Sequence, residues 1–275
     1  MAQRRDPITE LGQSVVEAVS ALGDFAAFCA RTIGWLCLRR PARGTLIAAM
    51  FDVGVRSIPV IAITGLFIGM VLAEQVFTQF QSMHIESRLG AVINASLVNE
   101  LGPVLAATML AGRVGSAMAA ELGTMKVTEQ IDALECLGAN PLHHLVAPRL
   151  LACVLLIPLL CVIADYMGVL GGALVAVRIK GVDYHFYWLH AGDSVGIWDI
   201  FVGMLKATVF GAEIALLACY RGFQAKAGAE GVGRAATEAF VLSFVCILAS
   251  DFVLDLMLNG LYTVIWPVGG RSFVS

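Results

Sequence analysis

The sequence predicts an all-α integral membrane protein. Amphipathic and elbow helices come first, then five transmembrane helices, with the N-terminus in and the C-terminus out. Three observations carry this reading. Hydrophobic residues make up 59% of the 275-residue chain and charged residues only 14%, against roughly 25% charged in soluble domains. Mean hydropathy is +0.82. Five apolar stretches follow one another, each at or above the roughly 20 residues that a spanning helix needs.

Taken in order, residues 1–44 are expected to lie on the membrane rather than in it. Ile8, Leu11, Val15, Val19, Leu22 and Phe25 recur at three- and four-residue steps, with Glu10, Gln13, Glu17 and Asp24 between them. That spacing is an amphipathic helix. A second piece has Phe28, Ile33, Trp35, Leu36 and Leu38 bracketed by Arg31, Arg39, Arg40 and Arg43, the composition of an element in the headgroup layer. Residues 45–275 form the membrane domain, with spans near 47–77, 90–118, 148–177, 197–221 and 237–266. Pro59, Pro103 and Pro158 fall inside these spans and are expected to kink or break them. Residues 119–147 read as a long cytoplasmic loop, and 178–196 as an outer loop carrying Tyr184, Phe186, Tyr187 and Trp188.

Orientation follows from the cations. With the N-terminus inside, Arg4, Arg5, Arg31, Arg39, Arg40, Arg43, Arg56, Arg113, Lys126, Arg149, Arg221, Lys226 and Arg234 fall on the cytoplasmic side. Arg88, Arg178, Lys180 and Arg271 fall on the other, and Lys206 lies within a span. The positive-inside rule selects that arrangement. The N-terminal residues lack a continuous apolar core with a cleavage site behind it, so no cleaved leader is expected.

Several classes are excluded. Net charge is −3, so there is no basic footprint for nucleic acid. The chain has no G-x-x-x-x-G-K-[ST], no H-E-x-x-H and no G-x-S-x-G, the motifs of P-loop nucleotide hydrolysis, zinc hydrolysis and the serine nucleophile elbow. The seven cysteines are never spaced C-x-x-C and read as small core hydrophobes. His143 and His144 read as residues at a helix end, and no metal site is expected.

Two features carry function. Ionisable groups inside apolar spans each need a partner or a water-filled cavity. The candidates are Glu74, Glu100, Asp165, Lys206, Glu213, Asp251 and Asp255. Lys206 is the only basic residue deep in a span, and could pair with Glu100 or Asp251 across three spans. In the cytoplasmic loop, Val127, Ile131 and Leu134 share one helical face, roughly continued by Leu137, with Glu129, Asp132 and Glu135 off it. Gly138 and Pro141 end the element. A short acidic helix over about 127–137 is what a transporter needs to dock a cytoplasmic motor. It is equally the form of a plain solvated loop helix. Gly65 and Gly69, then Ala111, Gly115, Ala119 and Gly123, supply small residues at four-residue spacing for close helix approach, with a dimer seam as one use.

The run NELGPVLAATMLAGRVGSAMAAELGTMKVTEQIDALECLGANPLHHLVAPRLLA closely resembles the signature of the MlaE/YrbE permeases. Further matches are GLFIGMVLAEQ, GGALVAVRIKGVD, LKATVFG and SDFVLDLM. The resemblance runs from about residue 45 to the C-terminal end. It implies the membrane subunit of a lipid-transporting ABC system in a bacterial inner membrane, working as a homodimer. A cytoplasmic ATPase binds ATP and Mg and docks on Glu129, Gln130, Asp132 and Glu135. A periplasmic MCE-protein hexamer exchanges phospholipid with the dimer's cavity, and a small STAS-domain protein joins the ATPase. The chain itself would hold no cofactor and do no catalysis. The resemblance further implies a charged network of Glu100, Lys206 and Asp251 near the lipid path, with Glu74 added at the outer end of the first span. The cavity is expected between the first, second and fifth spans, with acyl chains against Leu72 and Val76, and the expected role is in outer-membrane lipid asymmetry. Asn99 stands where some relatives have arginine, and Glu74 where an apolar residue is common, so headgroup preference need not match theirs. The competing readings are a permease for another hydrophobe, such as a sterol, and an ion or proton conductor.

Overall fold

The computed structural model describes residues 7–38, 43–83, 85 and 88–265. Among them every regular element is helical. Five stretches are long and apolar enough to span a bilayer: Gly44–Ser82, Leu89–Val127, Leu142–Ile179, Ile197–Phe223 and Ala229–Val264. All five expected spans are present, each longer than its apolar run. A straight stretch of 39 residues would reach about 58 Å, against a hydrocarbon core of about 30 Å. The excess goes into interfacial ends and local breaks. Arg4, Arg5, Arg39, Arg40 and Arg271, part of the charge count above, lie outside the described residues, as does the C-terminal end.

The N-terminal segment differs from expectation by being one element. Helix α1 (Pro7–Leu38) is continuous. Phe25 and Phe28 pack edge-on to Tyr220 at 5.2 and 5.6 Å, while Val16, Val19 and Leu22 stay exposed. Of the stripe residues whose side chains are described, Phe25 docks on the bundle, whereas Val19 and Leu22 do not.

The first span is α2 (Arg43–Val53) and α3 (Ile58–Met83), joined by a 3-10 turn at Val55–Ser57. Pro59 lies in the first turn of α3, where a missing N–H costs no helical bond. The second span is α4 (Leu89–Ser96), α5 (Gly102–Leu110) and α6 (Ser116–Val127), separated by π-helical turns at Leu97–Leu101 and Ala111–Gly115.

The expected cytoplasmic loop is mostly helix. Helix α6 runs on to Val127, and α7 (Gln130–Cys136) follows a two-residue corner. Its end is a Schellman motif: Gly138 N–H donates to the Glu135 carbonyl at 2.9 Å, and Ala139 N–H to that of Leu134 at 3.1 Å. Gly138 supplies the left-handed conformation this needs, at φ +76°. Leu137 does not continue the apolar face, because the helix has ended; it is 82% exposed, whereas Ile131 is buried.

A π-turn at Leu142–Val146 leads into α8 (Ala147–Ala173), which carries Pro158 without interruption. The expected outer loop contains α9 (Tyr184–Asp193), capped by Asp183 accepting from the His185 and Phe186 N–H groups. Tyr187 is fully buried rather than part of an exposed aromatic belt. Helices α10 (Ile197–Phe223) and α11 (Ala229–Ile265) complete the described residues.

Helices α8 and α10 form the centre. Helix α3 packs on α8 through facing small residues: a Cβ on Gly69 would come within 1.8 Å of the Gly168 carbonyl oxygen, and one on Gly65 within 2.5 Å of that of Ala164. The Gly65/Gly69 pair is therefore a seam within the chain. Gly115 likewise faces Ile214 and Ala218, and Gly222 faces Ala119, so the second small-residue stripe seats α10. The spans are unequally covered: 56% of the apolar window of the third is buried within the chain, but only 17% of the fifth.

Candidate functional site

The central polar feature is built around Lys206, which sits in α10 with its side chain wholly buried. An ammonium has three N–H donors, and three acceptors surround it. They are Asp255 Oδ1 at 2.5 Å, Asp251 Oδ1 at 3.0 Å and the backbone carbonyl of Asn99 at 3.2 Å. Asp251 and Asp255 are four residues apart on α11 and so share one helical face.

The third acceptor has a local cause. Pro103 has no N–H to offer the carbonyl four residues before it, which belongs to Asn99. The chain answers with the π-turn Leu97–Leu101, and the Asn99 oxygen turns to Lys206. Single π-turns inside α-helices recur at functional sites for this kind of reason. The same turn presents Glu100, whose carboxylate lies within 4.8 Å of those of Asp251 and Asp255. Glu100 is the exposed member, while the two aspartates are half-buried. One ammonium thus faces three carboxylates drawn from two spans. They make the three-carboxylate arrangement that could hold a cation, and Lys206 already supplies a positive charge to two of them.

The structure brings Glu100, Lys206 and Asp251 together. Asp255 completes the set and was not singled out with them; its signal was the four-residue step in SDFVLDLM. Glu74 stands apart from the Lys206 ion pairs. It pairs with Lys180 at 2.7 Å, and Lys180 also lies over the Phe77 ring at 5.1 Å. Glu213 accepts from the Ser250 hydroxyl at 3.0 Å, a second polar tie between α10 and α11. Asp165 takes a contact from Cys161 Sγ at 3.7 Å, and its oxygen rests against Gly102, where a Cβ would come within 1.7 Å. Leu72 and Val76 are half-buried against the cluster of Phe77, Ile93 and Leu97.

The four α7-region residues are all exposed. Glu129 is not on the helix: it is the residue before it, left-handed at φ +59°, a conformation that costs a non-glycine residue roughly 1–2 kcal/mol. Gln130 donates to the Thr128 hydroxyl at 3.0 Å, and Asp132 pairs with Lys126 at 2.8 Å. Glu135 points its charge outward with Cys136 beside it, also exposed. Cys153, Cys161 and Cys219 are buried as core hydrophobes, and Cys136 departs from that expectation because the short helix buries only the Ile131 side.

Known proteins match this chain over most of its length. The family model for Permease MlaE covers residues 46–257. A probable ABC transporter permease protein of Rickettsia typhi is 38% identical over 248 residues, 90% of this chain and 96% of that protein. The intermembrane phospholipid transport system permease protein MlaE of Haemophilus influenzae is 37% identical over 256 residues, 92% and 97% of the two chains. The chloroplastic protein TRIGALACTOSYLDIACYLGLYCEROL 1 of Arabidopsis thaliana is 38% identical over 202 residues, 74% of this chain and 58% of that one. A multi-pass membrane chain with five spans, matched from the first to the fifth by one family model, belongs to the MlaE permease family.

Proposed function

We propose that this chain is the membrane subunit of an ABC transporter that moves phospholipid between a bacterial inner membrane and a periplasmic MCE protein. On this reading it helps to maintain outer-membrane lipid asymmetry. The observation that carries the reading is the near full-length likeness to the Haemophilus permease, whose name states intermembrane phospholipid transport. The orientation is N-terminus in, supported by the eight cations Arg31, Arg56, Arg113, Lys126, Arg149, Arg221, Lys226 and Arg234 at one set of span ends.

Two copies form the working unit. The fifth span supports this, because Phe252, Val253, Leu256 and Met257 are all more than half exposed on α11. The lipid cavity lies between the protomers at the first, second and fifth spans, with Leu72 and Val76 on its wall. The Lys206 cluster ties the second, fourth and fifth spans and sets how they rearrange. A separate ATPase, with ATP and Mg, docks on α7 through Glu129, Gln130, Asp132 and Glu135, and a STAS-domain protein accompanies it. A ligand shifts a conformational equilibrium only by its differential affinity for the two states, so ATPase closure must change the cavity's shape. A second cargo, another lipid, is favoured by one observation: the Arabidopsis relative is named after a glycolipid.

The test is reconstitution of the purified complex in proteoliposomes with a fluorescent phospholipid and an acceptor MCE protein. ATP-dependent transfer is expected. Transfer of a sterol but not phospholipid would replace the cargo, and uncoupler-sensitive ion flux without the ATPase would replace the class. Reversing charge at Glu129→Lys with Glu135→Lys is expected to abolish coupled transfer while leaving the assembled dimer intact. Normal transfer by that double variant would remove the docking role.

A further inference from the structure

A second polar site lies away from the Lys206 cluster, at the end of the bundle that carries α7. A cavity of about 640 Å³ opens there between α2, α6 and the start of α8. Three guanidiniums line it, Arg56, Arg113 and Arg149, against two carboxylates, Asp52 and Glu121. The carboxylates sit at the rim, 59% and 61% exposed, each holding one arginine: Asp52 to Arg56 at 2.8 Å and Glu121 to Arg149 at 2.9 Å.

Arg113 is different. It projects from the π-turn Ala111–Gly115 and donates to the Asp52 carbonyl at 3.2 Å and the buried Ser57 hydroxyl at 2.5 Å, both through Nη1. Among the described residues it has no carboxylate partner. Its guanidinium is held in place by neutral acceptors, so its charge is uncompensated at close range. The remaining wall is mostly apolar, with Val53, Val114 and Met118, and also carries Thr45 and His144. Beside it on α2, Ile47 and Phe51 are 66% and 51% exposed, as side chains facing acyl chains would be.

We infer that this cavity binds the phosphodiester headgroup of an anionic phospholipid. A guanidinium fork matches phosphate oxygens in pairs, and an excess arginine on a rigid turn supplies the charge. The apolar wall and its continuation onto α2 accept glycerol and the first acyl carbons, which a free inorganic phosphate would leave unfilled. The site is separate from the cargo cavity and does not depend on which lipid is transported.

The experiment is native mass spectrometry of the full chain, purified from detergent mixed with equal amounts of dioleoylphosphatidylglycerol and dioleoylphosphatidylcholine. The wild type is expected to retain phosphatidylglycerol in about tenfold preference, the scale of a charge-assisted contact. Arg113→Gln is expected to bring the preference close to unity, and Arg56→Gln, at an exposed position where folding is not at risk, to lower it severalfold. Millimolar inorganic phosphate is expected to leave retention unchanged. Equal retention of the two lipids by the wild type would overturn the inference, as would an unchanged preference in folded Arg56→Gln. Displacement of the lipid by inorganic phosphate would make this a free-anion site and overturn the lipid assignment. Because no transport is read, failure here leaves the proposed function standing, and the converse holds.

Discussion

Two of the seams in this bundle are built from opposite materials. Between α3 and α8, glycines meet main chain directly: no side chain lies between Gly69 and the Gly168 carbonyl. Between α10 and α11, the contact is a buried lysine shared by two aspartates, with Glu213 and Ser250 beside it. The first seam is steric and admits one geometry. The second is electrostatic and exposes Glu100 at its edge. On the proposed reading a transporter needs both kinds, a fixed frame and a joint, and the fifth span, least covered by the rest of the chain, lies on the polar seam.

Breaking the polar seam should have the largest effect. Lys206→Ala strands two carboxylates in an apolar setting, and removing one member of a buried ion pair costs about 3–5 kcal/mol. Loss of the folded protein on gel filtration, or a steep fall in Tm in detergent, is the expected result. A sharper version replaces the whole set: Lys206→Met with Asp251→Asn and Asp255→Asn should regain much of the lost stability, yet leave lipid transfer impaired. Full transfer by that triple variant would reduce the cluster to packing.

The steric seam is next. Gly69→Ala places a methyl where backbone already lies, so α3 and α8 must separate; overpacking of this kind costs about 1–3 kcal/mol. Gly233, where nothing lies within 4 Å of an added Cβ, is the matched control, and Gly233→Ala should be neutral or slightly stabilising. Equal Tm values for the two would deny that the α3–α8 contact is tight. The Glu74–Lys180 pair comes lower, since Glu74 is 57% exposed. Glu74→Gln should cost no more than about 1 kcal/mol, measured by the same melt at low and high salt.

What the sequence could show divides along the same line. Spans were legible because composition over 20 residues is a strong signal, and so was the trio of ionisable positions, because a charge in an apolar run stands out wherever the chain goes. Partners were not legible. Lys206 could be paired with Glu100 or Asp251 on paper, and only the packing of α11 brings Asp255 in at 2.5 Å. Glu74 has the same chemistry as Glu100 but meets Lys180, 106 residues away. The Gly65/Gly69 spacing announces close approach without saying to what; α8 answers with Ala164 and Gly168. Helix extents in the cytoplasmic segment were hidden for a different reason. The corner at Thr128–Glu129 uses a left-handed glutamate, which no propensity scale would place there.

That corner gives the smallest effect and the finest test of the docking role. Glu129 holds φ +59°, and its carbonyl accepts the first bond of α7 from Ala133 N–H at 2.9 Å. Glycine takes this conformation without the steric penalty, so Glu129→Gly should leave the fold unchanged or stabilise it by up to about 1 kcal/mol. The glutamate adds a carboxylate, exposed at the entrance to α7, that glycine would lack, and on the docking reading that carboxylate meets the ATPase. Glu129→Gly should therefore raise or hold Tm while lowering ATP-coupled transfer. Glu129→Asn, which also tolerates the left-handed region, should behave as glycine does, because the backbone is served in both and the charge in neither. A rise in Tm with transfer intact would mean that the glutamate sits there without a partner to meet it.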